Sequence, residues 1–202
     1  MGFAIFVGSW LLLHLYVGWR AWSVLESRRN RALAVASMVV GFLLYPVGRV
    51  TFFHASATVG RVLEYGGAVW IGMVLLVVPS LMAVDAVTLF GLAFRDRLRQ
   101  LRAGALLLGL GLSLVAWVGG ERAPRAVAIE VEMPRLPPSA DGLVVAQLSD
   151  LHLGTLIGER RLAAVVRQID AMGADVVAVT GDLIDSDVEL VRTMLPTLQS
   201  LR

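Results

Sequence analysis

Four stretches of the chain contain no charged residue: 2–19, 32–48, 65–84 and 103–120, each 17 to 20 residues long. At 1.5 Å per residue, each spans about 26–30 Å of helix, close to the hydrocarbon thickness of a bilayer. Buried helices of water-soluble domains are rarely that long without a polar face. Trp19, Trp22, Phe52, Phe53, Phe90, Phe94 and Trp117 gather toward the ends of these stretches, as an interfacial aromatic belt does. The pattern predicts a membrane domain over 1–120 with four helices, about 2–22, 32–53, 65–94 and 103–120. The second is the weakest, because Pro46 and Arg49 fall near its end. Three spans and a re-entrant piece is the other arrangement the pattern allows.

Past residue 120 the periodicity changes. Val127, Ile129 and Val131 alternate with Ala128, Glu130 and Glu132, which predicts a half-exposed edge strand inside a Pro-rich linker, 121–141. Residues 143–148 are almost wholly apolar and read as a buried strand. An amphipathic helix follows over about 159–172, its stripe made of Leu162, Val165, Val166, Ile169 and Met172, with Gly173 placed to end it. A second buried strand is predicted at 175–179. A last helix is predicted from about 187 to 201, with Pro196 as a candidate break. Strand, helix, strand within about 40 residues is a βαβ unit, and continuously apolar strands predict a parallel sheet covered on both faces. The fold class expected is therefore a multi-span α-helical membrane domain followed by an α/β unit over 142–202.

Composition sharpens the division. Residues 1–120 carry 10 Arg against 4 acids, and 121–202 carry 8 Arg against 12; all 15 aromatic residues lie at or before Trp117. Cysteine and lysine are both absent, which excludes disulfides, thiolate metal sites, Cys nucleophiles, Schiff-base chemistry and a P-loop. Arg20, Arg28, Arg29 and Arg31 flank the first connection and Arg95, Arg97, Arg99 and Arg102 the third, whereas the second has only Arg49 and Arg61. Basic connections stay cytoplasmic, so both termini are expected on the outside. The first stretch lacks a basic segment before it and a small-residue cleavage site after it, so it reads as a retained anchor. His14, His54, Glu64 and Asp85 raise the alternative of a transporter or channel. The other reading gives Glu64 and Asp85 a headgroup or a nearby Arg, and His14 a neighbouring helix. Nucleic-acid binding is not supported, because the arginines flank apolar spans.

The α/β unit carries the chemistry. Parallel strands deliver their C-terminal ends to one sheet edge, where open α/β sheets bind ligands. Asp150 and His152 follow the first strand, and Asp182 follows the second, 32 residues later. Carboxylate and imidazole donors without thiolate suit Mn, Fe or Zn ions. Taken alone, D-x-H is common, and G-D-x-x-D can be a turn whose Asp caps a helix.

The segments LVVAQLSDLHLG and ADVVAVTGDLID, in this order, resemble the opening half of calcineurin-like metallophosphoesterases, nearest to bacterial members with a membrane-anchored N-terminus. The resemblance covers about 123–202. It implies that Asp150 and His152 bind the first of two divalent metal ions and that Asp182 bridges both. Asp185, with Gly181 beside it, would support the ligands from behind. It implies hydrolysis of a phosphomono- or phosphodiester by a metal-bridged hydroxide, with no side chain of this segment acting as nucleophile. The partners implied are the lipid bilayer and a phosphoester, with lipid-linked phosphoesters as a candidate class, at a bacterial inner or plasma membrane. The family pattern continues with G-N-H-D/E, a lone His and G-H-x-H. None of these occurs, and the histidines are His14, His54 and His152 alone. The expectation is a partial chain of a longer enzyme, inactive by itself. The alternative is a membrane protein with a non-catalytic soluble segment.

Overall fold

The computed structural model describes residues 2–122, 124–185 and 187–201. Expectations touching Met1, Ala123, Ser186 and Arg202 fall outside the described residues. The chain divides into two compact units, Met1–Gly119 and Gly120–Arg202.

The first unit is helical: α1 (Gly2–Val24), α2 (Arg28–His54), α3 (Ala57–Val87) and α4 (Leu98–Gly120). Two of these helices begin where a serine caps an apolar run. Ser27 accepts the Asn30 N–H at the start of α2, and Ser56 accepts the Val59 N–H at the start of α3. The Ser56 cap places the start of α3 at Ala57, eight residues before the predicted 65. Arg61 and Glu64 therefore lie inside the helix, and buried Glu64 is paired to Arg49 at 3.1 Å. α3 also stops at Val87, short of the predicted 94. Leu89, Phe90 and Phe94 take positive φ, and two short 3-10 turns, Leu89–Gly91 and Arg95–Arg97, fill the connection. Pro46 and Pro79 sit inside α2 and α3 without ending them, as membrane helices permit.

Among the described residues, three segments are long and apolar enough to cross a membrane: Arg28–His54, Ala57–Val87 and Arg95–Gly120. α1 matches the first apolar stretch but is not among these three. α2 and α3 pack at very short range because small residues line their crossing. A Cβ added at Gly67 would lie 2.6 Å from the Tyr45 backbone nitrogen, and one at Gly60 would lie 2.4 Å from the Phe52 Cα.

The core of this unit is Val17, Val74, Val77, Val78, Leu81 and Ala105. Beside it, Asp85 is 1% exposed and meets Arg20 at 2.7 Å and Arg102 at 3.4 Å, while the Tyr16 hydroxyl donates to it at 2.6 Å. His14 Nε2 accepts the Trp70 indole N–H at 2.9 Å, so Nδ1 carries the proton and donates to the Trp10 carbonyl at 2.8 Å. Glu64, Asp85 and His14 are each closed into internal pairs, and His54 is exposed at the end of α2. These pairings are those of a packed bundle.

The second unit holds β1 (Val145–Ser149), α5 (Glu159–Met172), β2 (Val176–Thr180) and α6 (Val188–Gln199). The two strands pair in parallel, Val145 opposite Val176 and Ser149 opposite Thr180. α5 ends on Gly173, whose φ of +62° is the left-handed cap glycine adopts freely. Asp187 caps α6 by accepting the Leu190 N–H at 2.9 Å, and α6 continues through Pro196 unbroken. Ala146, Val165 and Ile169 form one apolar layer; Leu153, Leu162, Val166, Val191 and Met194 form a second.

Two expectations fail in this unit. The sheet is covered on one face only: Val145 and Val176, which share the other face, are 53% and 46% exposed. Val127, Ile129 and Val131 are not a strand; they are 80%, 79% and 65% exposed. Alternation predicts a strand only where a neighbour supplies the ladder, and among the described residues none does.

Candidate metal centre

The ladder between the strands does not stop where the strands do. The Asp150 N–H donates to the Thr180 carbonyl at 3.2 Å, the His152 N–H to the Asp182 carbonyl at 3.0 Å, and the Leu153 N–H to the Leu183 carbonyl at 2.9 Å. The Asp185 N–H then returns to the Leu153 carbonyl at 2.9 Å. The two post-strand loops are thus zipped side by side. Leu153, buried completely, pins the first loop into the apolar layer under α5 and α6. Asp150, His152, Asp182 and Asp185 are all exposed along this edge.

Asp150 and His152 adopt left-handed backbone conformations, φ +52° and +45°. Asp and His are among the few non-glycine residues that tolerate that region. The contortion turns the chain out of the strand while leaving alternate N–H groups aimed at the neighbouring loop. Gly181 stands directly opposite. A Cβ there would sit 2.3 Å from Asp150 Oδ1, and the glycine φ is +67°. Only the bare backbone of glycine fits both the close approach and the torsion.

Hydrogen bonds hold the Asp150 carboxyl below the usual carboxylate range. The Ser149 hydroxyl, the larger cause, donates to Oδ2 at 2.5 Å, and the Asp182 N–H donates to Oδ1 at 3.3 Å. Each oxygen keeps a lone pair for a further partner. The donor set of two carboxylates and an imidazole is chemically suited to a borderline divalent cation. Among the described residues, however, no three His, Asp or Glu side chains are disposed around one metal position. The backbone places the expected residues on adjoining loops; their side chains do not converge on one point. Gly181 matters more than a turn glycine would, because it is the floor against which Asp150 rests. Sequence reading named the residue but had no means to see that contact.

No family model matches the chain, and no solved structure does. It is 34% identical over 110 residues to the cattle (Bos taurus) "Transmembrane protein with metallophosphoesterase domain", covering 53% of this chain and 25% of that protein. A zebrafish (Danio rerio) protein of the same name is 33% identical over 98 residues, covering 48% of this chain and 22% of its own. The chain thus matches about a quarter of the length of these curated relatives. Both are vertebrate proteins, so a bacterial type rests on the sequence motifs alone. The similarity supports a metallophosphoesterase family, shared with proteins that join such a domain to membrane helices.

Proposed function

We propose that this chain supplies the membrane anchor and the opening metal-ligating loops of a metal-dependent phosphoesterase. In this reading α1 crosses the bilayer together with the three membrane-capable segments. The arginine-rich first and third connections face the cytoplasm, and both termini lie outside. The substrate is a phosphomono- or phosphodiester, with lipid-linked phosphoesters as the class a membrane-tethered site would meet most often.

The observation that carries the reading is the zipped pair of loops, with Asp150 resting on Gly181 and on the Asp182 N–H. Asp150, His152 and Asp182 would hold two divalent ions of the Mn, Fe or Zn kind, Asp182 from the position between them. The chemistry such ions supply is activation of water and neutralisation of charge growing on the phosphoryl oxygens. This chain's own part is preparation. Ser149 and the Asp182 N–H donate to the two Asp150 carboxyl oxygens, which orients the carboxyl and lowers its pKa. The His152 to Asp182 backbone bond fixes the spacing between the loops. Asp185, tied through its N–H to Leu153, steadies the second loop.

The test is hydrolysis of bis(p-nitrophenyl) phosphate by the full-length, membrane-reconstituted protein with Mn²⁺. Asp182→Asn is expected to lower turnover by more than about a hundredfold while the protein stays folded. Near-normal turnover in that variant at full metal occupancy overturns the proposal.

A further inference from the structure

A groove of about 550 Å³ runs between α1 and α2 in the first unit. Along α1 it reaches from Leu11 to Trp22, and along α2 from Leu43 back to Val35. Eleven residues of helix rise about 16 Å, nearly the 15 Å or so of hydrocarbon in one bilayer leaflet. Its lining is apolar apart from His14, and both ring nitrogens of His14 are already engaged by Trp10 and Trp70. The groove therefore offers an occupant nothing but hydrocarbon contact. A leaflet-long apolar slot of this volume accommodates an extended acyl chain.

Charge marks one end. Trp22, at the end nearest the α1–α2 connection, lies under the guanidinium of Arg31, whose Cζ is 5.1 Å from the ring. Arg31 Nε is held by the Leu25 carbonyl at 2.9 Å, which fixes the group at the groove mouth. Arg28 and Arg29 precede it on the first turn of α2. The one acid in the connection, Glu26, is taken by Arg99. Among the described residues no carboxylate pairs with Arg28, Arg29 or Arg31. A leaflet-long apolar slot ending in unneutralised arginines has the chemistry of an anionic phospholipid: one acyl chain along the slot, the phosphate at its mouth.

We propose that the α1–α2 groove is a binding site for an anionic phospholipid of the leaflet on the arginine-rich side, seated by one acyl chain between Leu11 and Trp22 and by its phosphate at Arg31. This site is separate from the phosphoesterase loops and does not depend on them.

The test is tryptophan quenching in vesicles by phospholipids brominated on the acyl chain, with phosphatidylglycerol compared against phosphatidylcholine of identical chains. Trp19 and Trp22 line the groove and report on it. The anionic lipid is expected to reach half-maximal quenching at a mole fraction about fivefold lower, the preference one interfacial arginine confers. Arg31→Gln should reduce that preference and leave the quenching depth at high lipid. Gly18→Leu, which fills the groove floor, should lower the depth for both lipids. Val39→Phe narrows the slot from α2 and guards against a folding defect in Gly18→Leu. Leu114→Phe, on the separate α3–α4 groove beside Trp117, should leave the headgroup preference unchanged. Equal half-quenching fractions for the two headgroups, a preference unaltered in Arg31→Gln, or quenching depth unaltered in both filling variants would each overturn the proposal, leaving an ordinary annular lipid.

Discussion

The two units use acids in opposite ways. In the helical unit Asp85 is buried between two arginines and a tyrosine, and Glu64 is buried against Arg49. In the α/β unit Asp150, Asp182 and Asp185 stand exposed along one edge, and none forms an ion pair among the described residues. A carboxylate already neutralised by its own chain has no charge to offer; one presented on an edge does. The contrast separates residues that hold the bundle together from residues available to a ligand, though both kinds are carboxylates.

The largest effect belongs to the buried cluster. Asp85→Asn keeps the shape and removes the charge, leaving Arg20 and Arg102 buried at 2% and 7% exposure without a counter-charge. Breaking a buried pair this way costs about 3–5 kcal/mol. The check is a denaturant or SDS unfolding titration in detergent, in which Asp185→Asn, on the exposed edge, should move the midpoint little. If Asp85→Asn is as mild as Asp185→Asn, the distinction between the two units is wrong. Next comes the α2–α3 crossing. Gly67→Val drives side-chain atoms into the Tyr45 backbone and should cost about 1–3 kcal/mol in the same titration.

At the edge the effects should appear chiefly in ligand binding. Gly181→Ala pushes a methyl group into Asp150 Oδ1 and demands a left-handed alanine. It should weaken Mn²⁺ binding about tenfold or more by displacing the carboxylate, measured by equilibrium titration. The smallest effect is a proton one. Ser149 is the main cause of the lowered Asp150 pKa, so Ser149→Ala should raise the Asp150 midpoint toward the ordinary carboxylate range in a carbon-13 NMR titration of metal-free protein. The sign follows from linkage. A depressed pKa contributes stability that is present above the ordinary carboxylate range and is lost as pH falls through the lower, folded value. Ser149→Ala should shorten that acid-side window.

How much of this was readable from the sequence differs by element. α5 was legible to the residue, 159 to 172, because a stripe at helical spacing and a stop glycine are both local signals. The edge that gathers Asp150, His152 and Asp182 was legible too, since parallel strands have their C-terminal ends together whatever the details. The Val127–Val131 alternation misled because a strand is a property of two segments, and no described segment pairs with this one. The start of α3 was misplaced because a charge-free window stops at Glu64, whereas the helix runs back to the Ser56 cap and carries Glu64 paired with Arg49. The Arg20–Asp85–Arg102 cluster was legible in part: an arginine partner for Asp85 was expected, but not that two arginines from two further helices would meet it. The left-handed turns at Asp150 and His152, and the seat that Gly181 provides, belong to tertiary geometry and leave no mark in spacing.

The central claim is that adjoining loops after β1 and β2 make Asp150, His152 and Asp182 a joint cation site. Its most direct test is an Mn²⁺ titration of the reconstituted chain followed by electron paramagnetic resonance, wild type against Asp150→Asn, His152→Ala and Asp182→Asn. The account predicts saturable binding that each substitution weakens at least about tenfold, with imidazole-nitrogen coupling to the bound ion lost in His152→Ala. Binding that is unchanged in all three variants, or a spectrum free of nitrogen coupling in the wild type, would contradict it.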